Sequence, residues 1–153
     1  MSGGAIESRR LIIPALGRIY EALSPYSYAF MRFCTGAVLV PHGWQKLFHG
    51  DIGRAAAGVA AHGLPAPLLL AYAVVFTEFF SAALLAIGLL TRFAALTIVI
   101  QMAVITFVWQ WPNGYFWTDR GYEFPLLWML LCIAIFFRGG GRYSLDRLIG
   151  WEL

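Results

Sequence analysis

From residue 26 to residue 138 the chain is a series of long apolar runs separated by short polar breaks. Four runs stand out, at residues 26–48, 68–90, 93–111 and 121–138. Each is close to the ~17–25 residues that a helix needs to cross the hydrocarbon core of a bilayer. Without water to satisfy the backbone, such runs are read as helices that close their own hydrogen bonds. The pattern predicts an all-α fold, an integral membrane four-helix bundle. The Thr91-Arg92 connection is so short that the second and third helices must form an antiparallel hairpin.

The segments between the runs have their own signals. In residues 11–23, Ile12, Leu16, Ile19, Tyr20 and Leu23 recur at helical spacing with Arg18 and Glu21 on another side. This predicts a short N-terminal interfacial helix that stops at Ser24-Pro25. Residues 49–67, rich in Ala and Gly, predict a small helix on the membrane surface, ended by Gly63-Leu64-Pro65. Trp109, Trp111, Tyr115, Phe116 and Trp117 form an aromatic cluster suited to the headgroup level. After the fourth run, Gly139, Gly140 and Gly141 stop the helix. Ser144 then caps a short successor whose first turn holds Asp146. The domain division expected is an N-terminal interfacial segment (1–25), a transmembrane domain (26–148) and a C-terminal tail (149–153).

Composition agrees with lipid as the solvent. Hydrophobic residues are 60% of the 153 and charged residues 12%, half of the roughly one quarter usual in soluble domains. The net charge of +3 does not point to nucleic acid, because the basic residues sit at helix ends. Arg9, Arg10, Arg18, Arg92, Arg138, Arg142 and Arg147 fall on one side, against Lys46, Arg54 and Arg120 on the other. The positive-inside rule then places both termini in the cytoplasm of a cell inner membrane protein. Residues 1–10 lack the layout of a cleavable signal peptide. Cys34 and Cys132 lie in apolar runs and give neither a disulfide framework nor metal-ligand spacing.

What the apolar pattern does not explain is its polar residues: Arg32, His42 and Lys46 on the first helix, Glu78 on the second, Gln101 on the third and Glu123 at the start of the fourth. An ionisable group at membrane depth costs a few kcal/mol and needs a partner or a purpose. On an ideal helix Arg32, Gly36, Gly43 and Lys46 share one stripe, the glycines allowing a neighbour close and the cations pointing the same way. Pro41 is expected to kink the helix just before His42. Arg32 and Lys46 pairing with Glu78 and Glu123 would only fix helix register. The polar groups beyond two ion pairs favour a pocket that binds a ligand or protons, formed by Arg32, His42, Lys46, Glu78, Gln101 and Glu123. The three histidines, His42, His49 and His62, all lie on the first helix or the loop after it, which disfavours an intrachain bis-histidine haem, and no metal site is expected.

Several fragments together resemble the DoxX family: Arg32, Gly36, His42-Gly43 and Lys46; Gly63-Leu64-Pro65; Glu78, Gly88 and Arg92; and residues 139–146 with their Ser-Leu-Asp ending. The resemblance covers about residues 26–148. It implies a four-helix membrane protein and gives importance to Arg32, His42, Gly43, Lys46, Glu78 and Asp146. It also implies a link to quinone-dependent redox chemistry. The family includes a subunit of an archaeal quinone-linked thiosulfate oxidoreductase and proteins of redox assemblies with a sulfurtransferase and a superoxide dismutase. Thiosulfate chemistry does not carry over, since no catalytic cysteine or cofactor motif supports it here.

The expectation is therefore a membrane subunit whose polar pocket serves quinone-linked redox chemistry, at most an oxidoreductase subunit. Quinone is the cofactor to test. The partners expected are the lipid bilayer and soluble or membrane redox proteins, with a homo-oligomer left open. A small-solute or proton transporter and a non-catalytic anchor for soluble redox partners are the alternatives.

Overall fold

The computed structural model describes residues 11–50 and 52–152, and within them every regular element is helical. Arg9 and Arg10, counted above for orientation, lie outside the described residues. After a 3-10 turn at Pro14–Leu16, α1 spans Gly17–Ala37, α2 Val40–Phe48 and α3 Ile52–Ala61. The two longest apolar helices follow: α4, Pro67–Ile87, and α5, Thr91–Asn113, both long and apolar enough to cross a membrane. A loop with a 3-10 turn at Trp117–Asp119 leads to α6, Glu123–Arg138, and α7, Leu145–Ile149, ends the fold.

The N-terminal segment differs from expectation. No separate interfacial helix stops at Ser24-Pro25. Instead α1 runs through Pro25, with Ser27 Oγ donating to the Ser24 carbonyl at 2.8 Å beside the weakened turn. A proline forfeits one helical bond, and nearby hydroxyls help re-satisfy the backbone at such points. The break comes later, at Val38 and Leu39, between α1 and α2. Pro41 explains it, because its ring clashes with the carbonyl four residues back, that of Ala37, and α1 ends there. The bonds Leu39 N–H to Gly36 O and His42 N–H to Leu39 O, at 3.0 and 3.1 Å, bridge the gap with tighter turns. The kink thus begins several residues before His42.

Small residues set the packing. α1 lies against the second half of α4, α2 against its middle, and α5 packs along α6. A Cβ on Gly36 would overlap the backbone of Ala82 and Ala86, and one on Gly43 the backbone of Glu78 and Phe79. The buried core is modest, centred on Leu39, Ala82, Leu85, Ala94, Ala95, Ile98, Met102, Cys132 and Ile135. Large apolar side chains cover the outside, among them Phe30, Leu69, Ile100 and Leu130. This arrangement suits lipid as the surrounding solvent.

The end of the bundle near the chain's C-terminus is sealed by two charges that saturate helix ends. Asp146 accepts from the Leu90 and Thr91 amides at 2.6 and 2.9 Å, capping the start of α5 from a distant segment. Ser144 Oγ accepts from the Arg147 amide, so the cap and first-turn roles expected of Ser144 and Asp146 are both seen. Arg32, fully buried, donates to the Leu85 and Ala86 carbonyls at the end of α4 and to the Tyr143 carbonyl. An anion at a helix start and a cation at a helix end also suit the helix dipoles.

Backbone contact predicts unequal costs for glycine substitutions. Gly36→Val should lower the unfolding free energy by about 1–3 kcal/mol through overpacking. Gly53→Ala, whose Cβ would meet nothing within 4 Å, should be neutral or stabilising by up to ~1 kcal/mol. Thermal unfolding in detergent checks both.

Candidate functional site

The middle of α4 and the C-terminal part of α5 both depart from α-helical spacing. Phe76–Ser81 and Ile105–Gln110 are π-helical segments, a form that widens the helix and is frequent at functional sites. Glu78 lies in the first, almost fully buried, where Gly43 lets α2 come close enough for Lys46 to reach it. Lys46 Nζ and Glu78 Oε2 form an ion pair. Gln101 on α5 donates from Nε2 to the other carboxylate oxygen of Glu78 at 2.8 Å. Three helices thus meet at one carboxylate, whose acceptor-only character when ionised requires Gln101 to present its amide nitrogen.

Above this triad is a cavity of about 500 Å³ lined by Lys46, Glu78, His62, Gln110, Asn113 and Arg120, with Val59, Val74, Ile105 and Trp109 as its apolar walls. The volume is in the ~300–1,000 Å³ range of small-molecule sites. Lys46 and Glu78 offset each other in charge. Among the described residues no carboxylate lies within salt-bridge distance of Arg120, so the chamber carries a surplus of positive charge and of donors. α3 closes one side. His62 stands edge-on to Trp109 with ring centroids 4.6 Å apart, and Gly58 leaves room for the indole.

Of the residues singled out from sequence, Lys46, Glu78 and Gln101 are brought together. Arg32 sits at the far end of α4, two turns from Glu78, and serves the helix cap. Glu123 starts α6 and accepts from the Trp117 amide at 3.2 Å, holding the aromatic loop. His42 is exposed on α2 and is not among the chamber's lining residues. Sequence reasoning missed His62, Gln110, Asn113 and Arg120, which lie at helix ends or in loops. For Gln110, Asn113 and Arg120 the only signal was polarity interleaved with the aromatic cluster, which was read as an interfacial belt, and His62 was weighed only as a haem ligand. Among the described residues no group of three or more His, Cys, Asp or Glu is placed to hold a metal.

The pair makes a coupling prediction. Lys46→Met and Glu78→Gln should each destabilise by about 1–3 kcal/mol, because each leaves a partly or fully buried partner unmatched. The double substitution should cost clearly less than the sum. A double-mutant cycle by thermal unfolding checks this, and strictly additive costs would show the two side chains do not interact.

The DoxX family model matches residues 27–111, which include Lys46, Glu78 and Gln101. A protein of Haemophilus influenzae, itself uncharacterised, is 32% identical over 130 residues, covering 83% of this chain and 93% of its own. A second Haemophilus influenzae protein is 38% identical over 66 residues, 43% of this chain, which spans only 44% of that relative. An uncharacterised membrane protein of Mycobacterium tuberculosis is 30% identical over 147 residues, with 88% of each chain covered. No solved structure matches the chain. By the matched model and by these relatives, the chain is a membrane protein that belongs to the DoxX family.

Proposed function

We propose that the protein crosses a cell inner membrane four times, through α1 with α2, α4, α5 and α6, with both termini cytoplasmic, and that its chamber seats the headgroup of a membrane-borne quinone. The distribution of arginines supports the orientation, which puts the chamber at the outer half of the bundle and the Arg32–Asp146 end at the cytoplasmic side. The observation that carries the ligand reading is a donor-rich cavity whose lining holds Arg120, with no carboxylate of the described residues within salt-bridge distance of it, together with the Lys46–Glu78 pair.

Quinone carbonyls are acceptors. Arg120 and Lys46 offer charged donors to them, and Asn113 and Gln110 offer amides. Glu78 and His62 are groups able to exchange a proton with a reduced headgroup. The apolar walls from Val59, Val74, Ile105 and Trp109 would hold the ring. No covalent or redox cofactor belonging to the chain is required. Its part is to bind and orient, with electron transfer left to a redox partner protein.

A transport pathway fits less well. Beyond Glu78 the route toward Arg32 is closed by Gly36 packed on Ala82 and Ala86 and by fully buried Ser81 and Leu85. A polar relay across the membrane would have to breach that contact.

Binding to protein in lipid nanodiscs tests the reading. A short-chain benzoquinone should bind saturably, and Arg120→Met should weaken it about tenfold, the loss expected for one charged hydrogen bond. Arg147→Met, at the opposite end, should leave binding unchanged. No saturable binding, or equal effects of both substitutions, would sink the proposal.

A further inference from the structure

A second cavity, about 710 Å³, runs along α4 and α5 beside the chamber and is almost wholly apolar. Leu69, Leu70, Tyr72, Ala73 and Phe76 form its α4 wall, and Thr97, Ile100 and Val104 its α5 wall. Leu69, Tyr72, Phe76 and Ile100 are exposed, so the groove opens sideways, on the face that lipid covers. Val59, Val74, Ile105 and Trp109 line both cavities. Gln101, buried and bonded to Glu78, is part of the groove wall as well. The two spaces therefore adjoin across one partition, polar on one side and apolar on the other.

An apolar groove facing lipid gains nothing merely by holding a hydrocarbon chain, because lipid tails are as apolar as the groove. Its use is geometric. A ligand whose head occupies the chamber must put its chain somewhere, and only a groove that joins the chamber lets both parts be seated at once. We infer that the groove between α4 and α5 is the seat of the ligand's hydrocarbon chain, and that the ligand is a single-chain amphipath entering sideways from the bilayer past Val74 and Trp109. The chemical class is a small polar head that accepts hydrogen bonds, carried on one unbranched or isoprenoid chain. The inference rests on the chamber being a headgroup site, and it adds the entry route and the chain.

Gly58 is part of the same device. A Cβ there would stand 3.0 Å from Trp109 Cζ2, so a larger side chain must move the indole that separates the two cavities. Ala73 and Thr97 stand on opposite walls of the groove and away from the chamber's lining. Filling the groove from either wall should exclude a chain without touching the head site.

Photolabelling in nanodiscs tests this. The probe is a benzoquinone with a decyl chain ending in a diazirine, and the competitor is the same quinone without the chain. Label should concentrate on groove residues such as Leu70 and Val104, and excess competitor should remove it. Ala73→Trp and Thr97→Trp should each cut groove labelling at least about tenfold. In both variants the chainless quinone should still bind saturably, with the affinity measured by titration calorimetry in the unaltered protein. Label spread evenly over lipid-facing residues, with chainless quinone still bound, would overturn the groove and leave the headgroup reading. Groove labelling that is displaced by 1-dodecanol but not by chainless quinone would support the groove as a chain seat and overturn the quinone headgroup.

Discussion

The close approach of the first helical span to α4 is the constraint on which the other features depend. In a bilayer there is little hydrophobic gain in burying one helix against another, so association rests on packing and on interhelical polar bonds. Gly36 and Gly43 remove the side chains that would otherwise hold α1 and α2 away from α4. Only at that separation can Lys46 reach Glu78. Pro41 redirects the chain between the two glycines, so each packs on its own stretch of α4. Close packing and buried charge are thus one arrangement.

Charge is used differently at the two ends. At one end Arg32 and Asp146 are consumed by backbone groups, at the close of α4 and the start of α5. Such bonds tie the α4–α5 hairpin, with left-handed Gly88 and Leu90 in its turn, to α1 and to the C-terminal segment. At the other end the Lys46–Glu78–Gln101 triad borders open space. There α4 and α5 widen into π segments, and the end of α5 supplies Trp109 and Asn113, the loop after it Arg120, and α3 Val59 around a cavity. The first end holds the fold together, and the second is free to meet a ligand.

Much of this was legible in the chain because lipid leaves few alternatives. Apolar run lengths predicted α4 and α5 to within a few residues, and the Ser144–Asp146 cap followed from local rules. The stripe of Arg32, Gly36, Gly43 and Lys46 was correctly placed on one face, and that face meets α4. Helical periodicity could not tell that Arg32 and Lys46 have unlike fates, because the distinction depends on what stands opposite: helix-end carbonyls for one, a carboxylate for the other. Ser24-Pro25 was a misleading stop signal, since local propensity yields when a helix is held by tertiary contacts. The π segments left no trace in the pattern. Asn113 and Arg120 were hidden because residues at helix ends and in loops acquire their neighbours only after the helices are packed.

The central claim is that the polar interior exists to hold a membrane-borne amphipath. Its most direct test is mass spectrometry of small molecules that copurify with the protein taken from its native membrane in lipid-preserving nanodiscs. The account predicts one amphipathic species near equimolar with the protein and depleted by Lys46→Met in folded material. Recovery of only bulk lipids, in the proportions of the membrane and unchanged by that substitution, would contradict it.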